Sequence, residues 1–340
     1  MFDKIHALRE QLSRHQLEAL LIENPVDLLY LTGMSLSKGS FVVTEHSAEL
    51  FVDGRYLAAA QKNSPVPVLP SEKNAFAKDL KGRVGFDSAW MCYDAVTGLQ
   101  KKIPSVQWTP VSMPLKEMRG CKGAEEIAML KQAAALTKEG ILHIEGLLKE
   151  GVSEEDLAFA FEQFCRKKGA SSLSFEPIIA FGEHSAYPHH RAGKALLKKG
   201  QHVLMDVGAV WNHYRGDLTR VAFFGEVDPQ ILYLSETVRN AQQKAIEAIR
   251  PGVLVGRLDE IVRDEFRQVG LESYFTHSLG HGVGLETHEF PRIKYDGEDA
   301  KVPLKAGMVI TIEPGIYQPG VGGIRYEEMV LVTPDGHEIC

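Results

Sequence analysis

Two aspartates stand eleven positions apart in VLMDVGAVWNHYRGDLTRV, residues 203–221, each on an alternating apolar run and separated by a turn-like Trp211-Asn212-His213. A turn centred between Trp211 and Asn212 predicts that Asp206 and Asp217 face each other across a hairpin. Opposed strand residues hold their Cβ atoms about 4.5–5.5 Å apart, where like charges are destabilising. A cation belongs between such a pair. Taken alone, the hairpin fits equally well with two aspartates that face solvent.

Three further stretches change that balance. HSLGHGVGLETHE carries His277, His281 and His288 among glycines that let backbone and metal approach closely, and Leu285 stands where a nucleotide loop needs its third glycine. Glu313 ends the β-branched run in VITIEPG, and Pro314 after it stops the strand. Read as one strand, GGIRYEEMVLV puts Arg325 and Glu327 on one face and Glu328 on the other. A lone histidine is ordinarily a satisfied polar side chain, and a lone strand carboxylate ordinarily faces water. Four carboxylates and one histidine on apolar strands are different, because burying them unpaired costs several kcal/mol each. Oxygen-rich coordination with one imidazole suits a pair of divalent ions, Mn²⁺ first, with Co²⁺ or Zn²⁺ as alternatives. Two such ions about 3.5–4 Å apart can bridge and ionise a water, clamp a carbonyl oxygen and stabilise the tetrahedral intermediate of amide hydrolysis.

The elements that hold these groups follow from the rest of the chain. At 340 residues the chain exceeds the size at which single cores stop growing, which predicts two domains. Residues 19–22, 40–44, 50–53, 84–86 and 106–108 read as strands, with helices at the N-terminus and over 56–62. That alternation predicts a small α/β domain, in which Asp53 and Arg55 read as turn residues forming a surface ion pair. Pro110, Pro114, Gly120 and Gly123 mark a boundary, giving domains at 1–119 and 120–340. A long amphipathic helix follows, with Ile127, Leu130, Ala134, Thr137, Ile141, Ile144 and Leu148 on one face.

The second domain repeats itself. KEGVSEEDLAFAFEQFCRKKGASS from Lys149 parallels RPGVLVGRLDEIVRDEFRQVGLES from Arg250, and GQHVLMDVG from Gly200 parallels GMVITIEPG from Gly307. Each half then runs helix, helix, loop, β-hairpin, with Asp206 and Glu313 in equivalent places. An internal pseudo-twofold would bring both acidic strands to one centre.

On these motifs the sequence resembles the pita-bread metallopeptidase family, peptidase M24, and within it the Xaa-Pro branch that contains prolidase and aminopeptidase P. The similarity covers about 124–340, and the first domain resembles the extra domain of the Xaa-Pro members. The resemblance implies an α/β N-terminal domain and an α+β pita-bread catalytic domain with the pseudo-twofold repeat. It implies five metal ligands, Asp206, Asp217, His281, Glu313 and Glu327, with Asp217 and Glu327 bridging two ions. By the same resemblance Glu313 is expected to double as the base, His189 in AYPHHR to contact substrate with His190 as the alternative, and His277 and His288 to hydrogen-bond the scissile carbonyl and the proline side. Tyr317 and Arg325 match substrate-contacting positions, Arg325 serving equally as partner to a ligand carboxylate. His202 and His213 match nothing and read as structural or exposed. A bond preceding proline is a tertiary amide with a fixed ring, so the site needs a shallow apolar wall, for which Phe175, Ile178 and Phe181 are candidates.

The implied partners are two divalent metal ions, short peptides with proline second, and another copy of the chain in a homodimer. Prolidase and aminopeptidase P differ in whether the substrate ends at proline, and the motifs do not separate them. A non-catalytic peptide-binding domain is the competing class, against which stands the presence of all five ligand positions; a methionine-type aminopeptidase does not need the extra domain. The net charge of −7 with no basic stripe argues against nucleic acid. No stretch approaches the roughly 18 apolar residues of a membrane span. Cys92, Cys121, Cys165 and Cys340 are scattered and form no CxxC pair, which predicts free thiols and a cytoplasmic protein.

Overall fold

Short apolar runs become strands where neighbours cover both faces of a sheet, and ALLI at Ala19–Ile22 is such a run, buried at all four positions. The computed structural model describes residues 2–77 and 80–340, in two units that divide after Arg119. In the first unit a six-stranded sheet runs in the order Val68–Pro70, Ala48–Val52, Ser40–Thr44, Ala19–Ile22, Gly82–Asp87, Val106–Val111. Ala19–Ile22 pairs antiparallel with Ser40–Thr44 and parallel with Gly82–Asp87. Helices Phe2–His15, Pro25–Thr32, Leu57–Asn63 and Tyr93–Lys102 complete the α/β unit. Arg55 and Asp53 pair at 2.7 Å on its surface.

The second unit is built twice. Its first half holds helices Ala124–Glu145 and Glu154–Lys167 and a sheet ordered Leu218–Phe224, Gln201–Val207, Ile178–Phe181. Its second half holds helices Pro229–Glu247 and Val255–Gln268, and a sheet in which Val309–Ile312 lies between Gly280–Gly282 and Glu328–Val332. In each half the strand leading to the acidic residue is the central one. The equivalence extends to the backbone: Gly200 and Gly307 both take left-handed φ, 88° and 90°, where a side chain would be strained. Leu130, Ala134, Thr137, Ile141 and Ile144 of the long helix are buried, whereas Leu148 lies past the helix end at Glu145.

The hairpin register differs from expectation. Asp206 pairs with Thr219 and Val207 with Leu218, and Trp211 pairs with Tyr214. The turn is therefore Asn212-His213, with φ of 45° and 73°. Two-residue hairpin turns with positive φ at both centres match the twist of the strands, and asparagine tolerates that conformation. Moving the turn centre by one residue moves the pairing by two, and side chains alternate with period two. Asp217 thus keeps the face expected of it while losing its position opposite Asp206.

GGIRYEEMVLV is also not one strand. Gly322–Arg325 pairs with Gly315–Gln318, and Glu328–Val332 pairs with Val309–Ile312. The chain changes sheets at Tyr326 and Glu327. Arg325 and Glu327 are nonetheless both buried, with Glu328 half-buried. Among the described residues no helix is long and apolar enough to cross a membrane, and the four cysteines are free thiols.

Candidate metal centre

His281 sits in the middle of a strand flanked by glycines because its neighbours come very close. A Cβ at Gly280 would lie 2.0 Å from the carbonyl oxygen of Thr311, and one at Gly282 2.3 Å from that of Phe290. Only glycine fits, and the result is that His281 is pressed against the strand that delivers Glu313. The ligand atoms of Asp217, His281 and Glu327 all lie within 4.8 Å of one another, and all three residues are buried. His281 Nε2 lies 3.2 Å from Glu313 Oε1 and 3.7 Å from Asp217 Oδ2. Its Nδ1 donates to the carbonyl of Gly282 at 3.0 Å, which fixes the tautomer with Nε2 aimed at the carboxylates. Metal-ligating histidines are held in this way, the far nitrogen bound to a backbone oxygen.

Asp206 joins the group through Arg325, whose Nη2 donates to Asp206 Oδ2 at 2.5 Å. The other oxygen, Oδ1, is buried without a hydrogen-bond partner. Two threonines that the sequence reading passed over fasten the rest. Thr219 donates to Glu327 Oε2 at 2.8 Å and accepts from Arg325 Nε at 3.1 Å. Thr311 donates to Glu313 Oε1 at 3.3 Å and accepts from the His281 amide at 3.1 Å.

The electrostatics are those of a site built for cations. Burial, then repulsion from Asp206, holds Asp217 well above the ordinary carboxylate range. Burial, then repulsion from Asp217, Glu313 and Asp206, does the same to Glu327. Burial also raises Asp206, against the pull of Arg325. Glu313 is lowered, because the hydrogen bond and charge of His281 outweigh its burial. Burial opposes a charge on His281 too, yet Glu313 and Asp217 raise it to about 9. Four carboxylates face one guanidinium and one imidazolium, so full ionisation leaves two negative charges uncompensated. An orphaned carboxylate oxygen, a pre-set imidazole and that deficit fit divalent cations.

Around this cluster the expected substrate residues separate. His277 donates from Nδ1 to the carbonyl of Ser278 at 2.8 Å, and its Nε2 lies 2.8 Å from Tyr317 Oη, which in turn accepts from Arg325 Nη1 at 2.7 Å. Both nitrogens of His277 are thus engaged within the chain. Tyr317 is buried, which pushes its hydroxyl up to about 12, and it links His277 to Arg325. His288 is exposed, its ring centroid 4.3 Å from that of His281. His190 is bound to Glu154 at 2.9 Å, and His189 is exposed, with its charge acting on both His277 and His288. Arg292, not anticipated, likewise acts on His288. Phe181 is core, 2% exposed, and forms no wall; Ile178 and Phe175 are half-buried, with Ile178 in register with Asp206. His202 is buried against Ser185 Oγ at 2.7 Å, and burial lowers it to about 4.

Comparison with known proteins accords with this geometry. Residues 128–334 match the family described as metallopeptidase family M24, and residues 4–121 match the creatinase/prolidase N-terminal domain. An Xaa-Pro dipeptidase of Pyrococcus horikoshii is 35% identical over 99% of this chain and 96% of its own. The crystal structure of the prolidase from the same organism superposes with a TM-score of 0.94 at 33% identity, covering 99% of this chain and 97% of that one. The structure of an Xaa-Pro dipeptidase from Bacillus anthracis gives 0.96 at 31% identity, covering 99% and 96%.

Proposed function

Since this chain belongs to metallopeptidase family M24, we propose that it is a metal-dependent Xaa-Pro dipeptidase. The observation that carries the reading is the buried Asp217, His281 and Glu327 cluster, flanked by Asp206 and Glu313 and short of positive charge. Two divalent ions, manganese first, would be held by these five residues, with Asp217 and Glu327 shared between them. When bound they supply an ionised water and a polarised substrate carbonyl.

The chain's own groups do the rest. Glu313 has Oε1 engaged by Thr311 and His281, so it takes the proton of the attacking water at Oε2 and returns it to the departing proline nitrogen. Arg325 keeps Asp206 oriented through one nitrogen and is itself held by Tyr317 and Thr219. His189 and His288, both exposed, His288 against His281 and His189 close enough to His288 for their charges to interact, donate to the substrate. The proline nitrogen carries no hydrogen, so no acceptor is needed there, and Ile178 and Phe175 offer apolar surface. Exposed Arg292, close enough to His288 for their charges to interact, is placed to meet the free carboxylate of a dipeptide. The relatives named Xaa-Pro dipeptidase support this substrate length. We further propose a cytoplasmic homodimer.

The test compares Mn²⁺-loaded protein on Ala-Pro, Ala-Pro-Ala and Met-Ala. The expected order is Ala-Pro first and Met-Ala last. Preference for the tripeptide would make the enzyme an aminopeptidase, and a folded protein that takes up no divalent metal would make it a binding domain.

A further inference from the structure

Among the described residues one other group has metal-ligating side chains gathered together: Glu154, His184 and His190. Its geometry points to a different use. Glu154 opens the helix Glu154–Lys167 and its side chain is fully buried. Oε1 accepts from the Phe181 amide at 3.0 Å and from His184 Nδ1 at 2.8 Å. Oε2 accepts from His190 Nε2 at 2.9 Å and from the Gly193 amide at 3.1 Å. A carboxylate has about four acceptor positions, and all four are taken.

The donors are not scattered. Phe181 ends the strand Ile178–Phe181 and Gly193 closes the loop that follows it, so one carboxylate ties both ends of segment 181–193. His184 and His190 lie inside the segment, their rings tilted by 36° with centroids 4.7 Å apart. His189 stands between these anchors, next to His190, and its charge reaches His277 and His288.

The internal repeat supplies a control. Gly151 donates to Leu197 at 2.9 Å as Gly252 does to Leu304 at 2.9 Å, and Leu197 donates to Val152 as Leu304 does to Val253. Glu154 donates to the Ala195 carbonyl and Val255 to that of Val302. Glu154 and Val255 therefore occupy the same place in the two halves. The fold builds this turn with a buried valine, so the turn itself does not require a carboxylate; the half that carries the histidine loop has one.

We propose that Glu154 is a positioning residue that clamps segment 181–193 and thereby holds His189 at the edge of the metal cluster. The proposal rests on the dipeptidase reading for His189's part in turnover, but the clamp can be measured without it. In Glu154→Gln the amide nitrogen faces donors, so at least one end of the loop loses its acceptor. Amide hydrogen exchange over 182–192 is expected to speed up, while bound Mn²⁺ stays at the wild-type amount. Turnover of Ala-Pro falls by about 10- to 100-fold, the range for residues that orient a working group, with most of the loss in kcat. Adding His189→Ala to Glu154→Gln causes little further loss, since contacts in one unit are not additive.

A second pair of variants applies if Glu154→Gln does not fold. His190→Leu removes a donor and loses turnover, and His190→Gln, whose amide can donate in its place, recovers most of it. Full additivity with His189→Ala, equal losses in the two His190 variants, or unchanged loop exchange would each overturn the proposal. A wild-type chain without Xaa-Pro activity would overturn the dipeptidase reading instead, with loop exchange still deciding the clamp.

Discussion

Replacing Asp217 by asparagine should make the metal-free protein more stable and the metal-loaded protein inactive. The first half follows from charge. Asp217 is held well above the ordinary carboxylate range, by burial first and Asp206 second. A carboxyl group whose folded pKa exceeds its unfolded one binds its proton more tightly when folded, so ionisation costs stability once pH rises past the unfolded value. At neutral pH that cost is present in wild type and absent in the asparagine variant. A single stabilising substitution of this kind contributes about 0.5–2 kcal/mol, and for 150–250 residues each kcal/mol moves Tm by about 2–4 °C. Calorimetry in chelator should therefore show Asp217→Asn melting about 1–8 °C higher. With Mn²⁺ at a hundredfold excess over its Kd, wild type gains about 2.7 kcal/mol, or roughly 5–11 °C, and the variant gains much less. The order of stabilities inverts when metal is added. A variant that melts below wild type in chelator would refute the account of the cluster as uncompensated negative charge.

Other expectations concern single contacts. Thr219→Val removes the hydroxyl that binds Glu327 and receives Arg325; metal affinity or kcat should fall by about 10–100-fold, while Thr219→Ser keeps most of both. His281 stands at about 9 without metal, so its contribution to metal-free stability is complete below its ordinary value near 6.5 and disappears as pH rises to about 9. Chemical denaturation in chelator across that window should show the decline, and it should be lost in His281→Ala. The same proton must leave when a metal takes Nε2, so calorimetric titration with Mn²⁺ at neutral pH should release one proton more from wild type than from His281→Ala. Arg292→Ala should raise KM for Ala-Pro by about tenfold, the worth of an ionic contact of about 1.4 kcal/mol, with a smaller change for Ala-Pro-Ala.

Much of the architecture was legible because the signals were periodic or repeated. The strand ALLI, the apolar face of the long helix and the twin glycines Gly200 and Gly307 each constrain the backbone through residue type alone. The acidic strands were legible for the same reason, since a carboxylate closing an apolar run has few ways to be satisfied. The hairpin register was missed because Asn212 and His213 both enter left-handed space, a property of the pair that neither residue announces alone. The division at Tyr326-Glu327 was hidden because alternation continues across a change of partner strand. Thr219 and Thr311 look like ordinary strand threonines; the available signal was that each lies two positions from an acid, Asp217 and Glu313, and so on the same face. That Ser278 and Tyr317 engage both nitrogens of His277 is equally invisible in the sequence, since Tyr317 lies forty positions away. Glu154 was hidden inside a helix-capping sequence, and its signal was the contrast with Val255 in the matching half.

The central claim is that Asp206, Asp217, His281, Glu313 and Glu327 form one centre for two metal ions. Anomalous diffraction at the manganese edge, from crystals grown with Mn²⁺, tests it most directly. The account predicts two peaks about 3.5–4 Å apart, both within bonding distance of Asp217 and Glu327. A single peak, or metal bound at Glu154, His184 and His190 with the carboxylate cluster empty, would contradict it.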